Sequence, residues 1–184
     1  PTIIKKIYGD VGFDVTATSS STGAFSFQIA NSSVASITAT GSVTINGVGT
    51  TSITITQAAD PNFSSASKTI TLNVVEAVPI ITSSPTIINK IFGDPGFDVT
   101  ATSSSTGAFS FQIANSSVAS ITATGSVTIN GVGTTSITIT QAADPNFSTA
   151  SKTITLNVVE AVPIITTSPT IINKIFGDPG FDVT

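Results

Sequence analysis

Two carboxylates stand four residues apart in Gly9-Asp10-Val11-Gly12-Phe13-Asp14, and the pattern returns as Gly93-Asp94-Pro95-Gly96-Phe97-Asp98. Hard oxygen donors in a glycine-rich turn are ligands that Ca2+ accepts, and Glu76 offers one more oxygen nearby in the chain. Asp10, Asp14, Glu76, Asp94 and Asp98 are therefore the candidate calcium ligands. The dense acidic ladder of an EF-type loop is missing, and a simpler role for Asp in a turn is to accept backbone N–H groups. Turn capping is the preferred reading. Asp60 and Asp144, each followed by Pro, read as turn formers.

Other chemistry is thinly supplied. Cys and His are both absent, which removes thiolate nucleophiles, disulfides, histidine bases and His–metal sites. The Ser residues have no base to activate them, and the carboxylates available for glycoside chemistry lie in turns rather than a cleft. No enzyme is expected, and no catalytic or cofactor-binding residue is assigned. The sequons at Asn31, Asn62, Asn115 and Asn146 are numbers expected by chance in a Ser-rich chain. Thr54, Thr56, Thr69 and Thr71 read as ordinary solvent-facing strand positions rather than an ice-binding ladder. Lys6 and Lys68 are indistinguishable from surface lysines, although a Lys–Asn isopeptide would need such a residue.

The elements that hold these residues come in copies. Pro1-Thr2-Ile3-Ile4 returns at Pro85 and again at Pro169, 84 residues apart each time. The first two copies differ at five positions only: Lys5/Asn89, Tyr8/Phe92, Val11/Pro95, Ser65/Thr149 and Ser83/Thr167. Residues 169–184 repeat 85–100 without change. A period of this length is too long for a solenoid unit and suits one small self-sufficient β domain.

Charged residues are only 9% of the chain, so Ser, Thr and Asn must supply the polar surface. A net charge of −4 with six basic residues excludes a basic nucleic-acid footprint. Mean hydropathy is +0.43, yet no apolar run approaches the ~20 residues needed to cross a bilayer, so no membrane contact is expected in this segment.

Within each copy the apolar period is two. Phe13, Val15 and Ala17 alternate with polar residues, as do Phe25, Phe27 and Ile29, then Ile53 and Ile55, then Ile70, Leu72 and Val74. Shorter strands are expected at Thr2–Ile7, Ser33–Thr38 and Ser42–Ile45. The fold class is all-β: tandem immunoglobulin-like sandwiches of about seven strands, strung as beads. Asn46-Gly47-Val48-Gly49 reads as a hairpin-type turn. Pro79 and Pro85 are expected to flank a short edge strand, Ile80-Ile81, that opens the next domain. The boundary then falls near Ala77–Val78. Residues 79–162 form one complete domain, 1–78 lack their opening segment, and 163–184 begin a third. Pro in so short a connection should make the beads semi-rigid, and replacing Pro79 and Pro163 by Gly should loosen them with little change in melting.

Ile91-Phe92-Gly93-Asp94, Phe97, Val99-Thr100-Ala101, Ser117–Ile121, Val127-Thr128-Ile129, Gly131–Thr138 and Ala143-Asp144-Pro145-Asn146-Phe147 resemble the bacterial Ig-like (Big-type) tandem repeats of large surface adhesins. The resemblance spans most of each copy and implies a stalk that carries a binding region away from a cell surface. Similar modules decorate phage and viral fibres. Phe63 and Phe147 depart from the pattern of a tyrosine corner, since they lack its hydroxyl. The expected function is thus an extracellular spacer on a cell surface, or on a virion in the fibre alternative. Its partners are neighbouring repeats, other copies in a fibre, and whatever ligand the tip holds. The competing reading makes the repeats weak multivalent glycan or surface binders and requires exposed aromatics at loop ends.

Overall fold

A computed structural model describes residues 2–83, 85–166 and 173–180. Each copy folds as an immunoglobulin-like sandwich. The first builds β1 (Thr2–Ile7), β2 (Phe13–Asp14), β3 (Phe25–Ile29), β4 (Ala35–Ile37), β5 (Ser42–Ile45), β6 (Gly49–Gln57) and β7 (Ala66–Val75). The second builds β8 (Ile87–Ile91), β9 (Phe97–Asp98), β10 (Phe109–Ile113), β11 (Ala119–Ile121), β12 (Ser126–Ile129), β13 (Gly133–Gln141) and β14 (Ala150–Val159). One sheet of the first repeat runs β1-β7-β6-β3 and the other β2-β5-β4, and the second repeat copies both.

The register follows from the alternation. Leu72 pairs with Ile4 on the parallel β1 side and with Thr51 on the antiparallel β6 side. Ile53, Leu72 and Val74 therefore face inward, where they pack with Val43 from the opposite sheet and with Val15 and Val34 just outside its strands. The outward row pairs Ser52 with Thr71, Thr54 with Thr69 and Thr56 with Ser67, the last two hydroxyls lying 3.0 Å apart. Fully burying a Val, Leu or Ile side chain contributes about 2 kcal/mol, and the core consists almost wholly of such residues.

Two local expectations change. Asn46–Gly49 is not a hairpin, because β5 and β6 belong to different sheets. Its Asn46 and Gly47 N–H groups donate to the Val34 carbonyl, so the segment arches from sheet to sheet. The strand expected through Phe13, Val15 and Ala17 pairs with β5 only at Phe13 and Asp14. Val15 N–H already donates to the Gly41 carbonyl, beyond the end of β5.

The connection between the repeats also differs. No ladder forms at Ile80-Ile81. Two isolated bridges form instead, Ala77 with Phe147 and Thr82 with Thr102. Ile81 joins the core of the second repeat beside Val99, Ile154 and Leu156. Pro79 is buried as well, so it does not lie outside the fold as the Gly replacement assumed. Removing its ring should cost packing and lower the melting temperature of the second repeat, contrary to the expectation from sequence.

Candidate functional site

The site is the contact between repeats, and it is organised by a carboxylate. Asp144 sits where β13 gives way to β14. Its Oδ1 accepts the N–H groups of Asn146 and Phe147 at 2.8 and 2.9 Å, which curls the chain into a tight turn. Its Oδ2 accepts Thr106 N–H at 2.8 Å and the hydroxyls of Ser105 and Thr106 at 2.9 and 3.0 Å. One side chain therefore ties two loops that lie 38 residues apart. Gln141 braces the same loop, its Nε2 donating to the carbonyls of Ser105 and Gly107 at 3.0 Å each.

The turn so fixed meets the first repeat. Asn146 Oδ1 accepts Val48 N–H at 3.1 Å. The Asn146 carbonyl accepts Ala77 N–H at 3.0 Å, and the Ala77 carbonyl accepts Ser148 N–H at 2.9 Å. The Phe147 ring stands edge-on to Tyr8, with centroids 5.4 Å apart and planes at 82°. That geometry places the positive edge of one ring against the face of the other and is worth about 0.5–1.5 kcal/mol beyond burial. Gly47 is required by the first repeat itself, since a Cβ there would lie 2.7 Å from the Ser33 carbonyl oxygen, while its 3.5 Å to Asn146 Oδ1 is ordinary contact.

In the first repeat Asp60 makes the same set of bonds to Ser21, Thr22, Asn62 and Phe63. There the turn points to solvent, and Phe63 is 47% exposed. The two copies thus show one surface covered and uncovered.

The electrostatics follow from the donors. The Asp60 carboxyl is held well below its ordinary 3.8, first by Thr22 N–H, then by the Ser21 hydroxyl and Asn62 N–H. Asp144 is held down likewise, first by Asn146 N–H and then by Thr106 N–H, with desolvation opposing. A carboxyl depressed in the folded state binds its proton more readily when unfolded. Its contribution is complete above the ordinary carboxyl range and is lost as pH falls below it toward the folded value. Thermal melting should therefore be flat from neutral pH to about 5 and fall steeply below about 4, and the double variant Asp60→Asn, Asp144→Asn should start lower with a shallower acid limb.

The candidate calcium ligands occupy a different place. Asp10 Oδ2 accepts Ile7 N–H at 2.9 Å while Asp10 N–H donates to the Ile7 carbonyl at 3.0 Å, and Asp94 does the same with Ile91. Gly9 and Gly93 complete these turns at φ of 89° and 95°, where a side chain would be strained. Asp14 and Asp98 end the short strands β2 and β9, and Glu76 follows β7, all three exposed. Among the described residues no three acidic side chains gather as a metal donor set. Sequence reasoning treated Asp144 as a turn former only. A loop-to-loop reach of 38 positions leaves no periodic signal, and the repeat of Asn-Phe after Asp-Pro was the one visible trace.

Residues 10–59 and 96–143 each match the immunoglobulin-like domain of intimin. No curated protein matches the chain in sequence. Among solved structures, Drosophila N-cadherin EC1-4 shares 12% identity, with 88% of this chain and 48% of that chain covered and a TM-score of 0.44. Surface layer protein SbsC, domains 1-6, shares 19% identity over 78% of this chain and 21% of that one, with a TM-score of 0.39. The insect immune protein hemolin shares 12% identity over 88% and 45%, with a TM-score of 0.44. The chain spans less than half the length of each of these structures.

Proposed function

We propose, because this chain belongs to the family of the intimin immunoglobulin-like domain, that it is an adhesin-type repeat segment of an extracellular surface protein and serves there as a stalk. The observation that carries the stalk reading is the junction. Consecutive repeats meet through backbone bonds at Ala77, a side-chain bond at Asn146 and a ring pair, which together resist bending in more than one direction. Near-identical copies joined in this way add length at a fixed geometry, and length is what a spacer supplies. The folding unit we propose runs from residue 79 to 162, since Ile81 is buried in the core of the second repeat.

Each repeat should extend the fibre by roughly 35–45 Å, from strands rising about 3.3 Å per residue plus turns and junction. Negative-stain images of arrays with increasing repeat number test this. Contour length rising by a constant step is the expected outcome, and a compact particle would exclude the stalk. The glycan reading calls for exposed aromatics at loop ends. Phe63 and Phe92 are half exposed, yet their counterparts Phe147 and Tyr8 face each other across the junction, so packing between repeats accounts for them.

For Asp10, Asp14, Glu76, Asp94 and Asp98 we propose turn capping without structural calcium. The melting temperature should be the same before and after EDTA. A drop of many degrees would instead assign these carboxylates to Ca2+.

A further inference from the structure

β8 ends the sheet ordered β10-β13-β14-β8, so one side of its backbone has no neighbouring strand. The Thr86 carbonyl accepts Thr155 N–H and Phe92 N–H donates to the Val159 carbonyl, which turns the even-numbered residues of the strand toward β14. Ile87, Asn89 and Ile91 direct their N–H and C=O groups the other way. Asp94 takes up those of Ile91, its Oδ2 accepting the N–H at 2.9 Å and its own N–H donating to the carbonyl at 3.0 Å. At the opposite end Pro85 has no N–H to offer. The open edge therefore consists of Ile87 and Asn89.

The first repeat has the same edge in β1, closed by Asp10 at Ile7 and open at Ile3 and Lys5. The two copies differ there, since Lys5 is replaced by Asn89. The next residue is Lys in both and is engaged with a ring, Lys6 over Phe13 and Lys90 over Phe97, each 5.1 Å from the centroid. A lysine on an edge guards it, because a second strand cannot approach without crowding charge against charge. Asn89 removes that guard and lengthens a row of polar groups. Thr134 Oγ1 donates to Asn157 Oδ1 at 2.9 Å, and Asn157 Nδ2 donates to Asn89 Oδ1 at 3.0 Å. In the first repeat the row stops at Asn73, which accepts the Thr50 hydroxyl at 3.1 Å.

We propose that β8 pairs antiparallel with β8 of a second copy of this chain, joining their four-stranded sheets side by side about a two-fold axis. A short edge bracketed by a proline and a carboxylate cap offers donors and acceptors in an order that a second β8 matches end for end. With Ile87 of each copy opposite Asn89 of the other, each open N–H meets an open carbonyl. The axis passes Ile88, and the contact is isologous, so it closes as a dimer. The two Asn89 side chains become diagonal neighbours about 7–8 Å apart at their backbones, where amides can continue the polar row from one copy into the other. The same register at β1 sets Lys5 against Lys5 and is opposed by like charge. Neighbouring repeats leave the edge open: Ile87 is 56% exposed with the segment that precedes it in place, and Ile3 is 58% exposed with the following repeat docked. The pairing does not rest on the stalk reading.

The test is sedimentation velocity on the whole 184-residue chain across a wide concentration range, with amide NMR spectra of the same samples. The weight-average mass of the unaltered chain should climb from that of the monomer toward that of a dimer. Asn89→Lys gives the second repeat the residue with which the first already folds, and it should weaken the dimer several-fold or more. Lys5→Asn should strengthen association by opening the corresponding edge of the first repeat. In the unaltered chain the amide signals of Ile87 and Asn89 should move with concentration, and those of Ile3 and Lys5 should stay in place. A monomer at every concentration would leave the edge to water or to a strand of another protein and would overturn the proposal. So would a dimer that Asn89→Lys leaves intact, or concentration-dependent signals confined to another face.

Discussion

Replacing Ile81 by Ala should lower the stability of the second repeat by about 2–5 kcal/mol and leave the first repeat unchanged. The residue lies in a segment that reads as a linker, where a substitution would ordinarily cost a few tenths of a kcal/mol. Its side chain, however, fills a place beside Val99, Ile154 and Leu156, and those neighbours have nothing else to put there. In calorimetry Ile81→Ala should bring the transition of the second repeat down by about 10 °C or more. Tyr8 is the only Tyr in the chain, so its fluorescence reports the first repeat and the junction separately from the rest. A second-repeat transition that does not move would place Ile81 outside the second fold.

The second large effect concerns shape. In the double variant Asn146→Ala, Phe147→Ala the side-chain bond to Val48 and the ring pair with Tyr8 both disappear. A hydrogen bond contributes about 0.5–1.5 kcal/mol and an edge-on ring pair about the same, so the docked state should lose about 1–3 kcal/mol. That is a factor of roughly 5–150 in the ratio of docked to undocked forms. The core of each repeat is untouched, and both melting transitions should stay within about a degree of their starting values. Small-angle scattering on dilute protein should show a shorter and broader distribution of end-to-end distances. The Asp144→Asn variant should act in the same direction more weakly, because Asp144 holds the turn but does not itself cross the junction.

Much of the sandwich is readable in the alternation, because a strand with one face buried states its own register. β1 falls at Thr2–Ile7 as the pattern implies, and the long inward rows of β6 and β7 carry the isoleucines, Leu72 and Val74. Legibility fails where one stretch serves two partners. Phe13 and Asp14 pair with β5, while the corresponding end of the run in the second repeat, Thr102, pairs with the incoming Thr82. A period of two cannot say that the partner changes along the way. It fails again at Phe147. A Phe flanked by polar residues reads as a core residue or a failed tyrosine corner, and nothing local tells that its neighbour is a ring in another repeat. Pro79 shows the same limit from the other side: Pro signals a break in a ladder, yet a break can still be packed into a core.

The carboxylates divide along similar lines. Asp10 and Asp94 each bond within their own turn, which the glycine-rich pattern anticipates. Asp60 and Asp144 reach across to another loop, and the turn that Asp144 holds is the one that meets the first repeat.

A stalk requires that consecutive repeats keep one mutual orientation, and the contact around Asn146 and Phe147 is what would set it. Residual dipolar couplings on the dilute chain read this out, since backbone N–H vectors of both repeats report on a common frame if the two are fixed. A single alignment tensor should fit residues 2–76 and 85–160 together, with the order parameters of the two repeats equal. Two tensors of different magnitude, fitted separately to the two repeats, would mean that they reorient independently and would rule out a fixed junction.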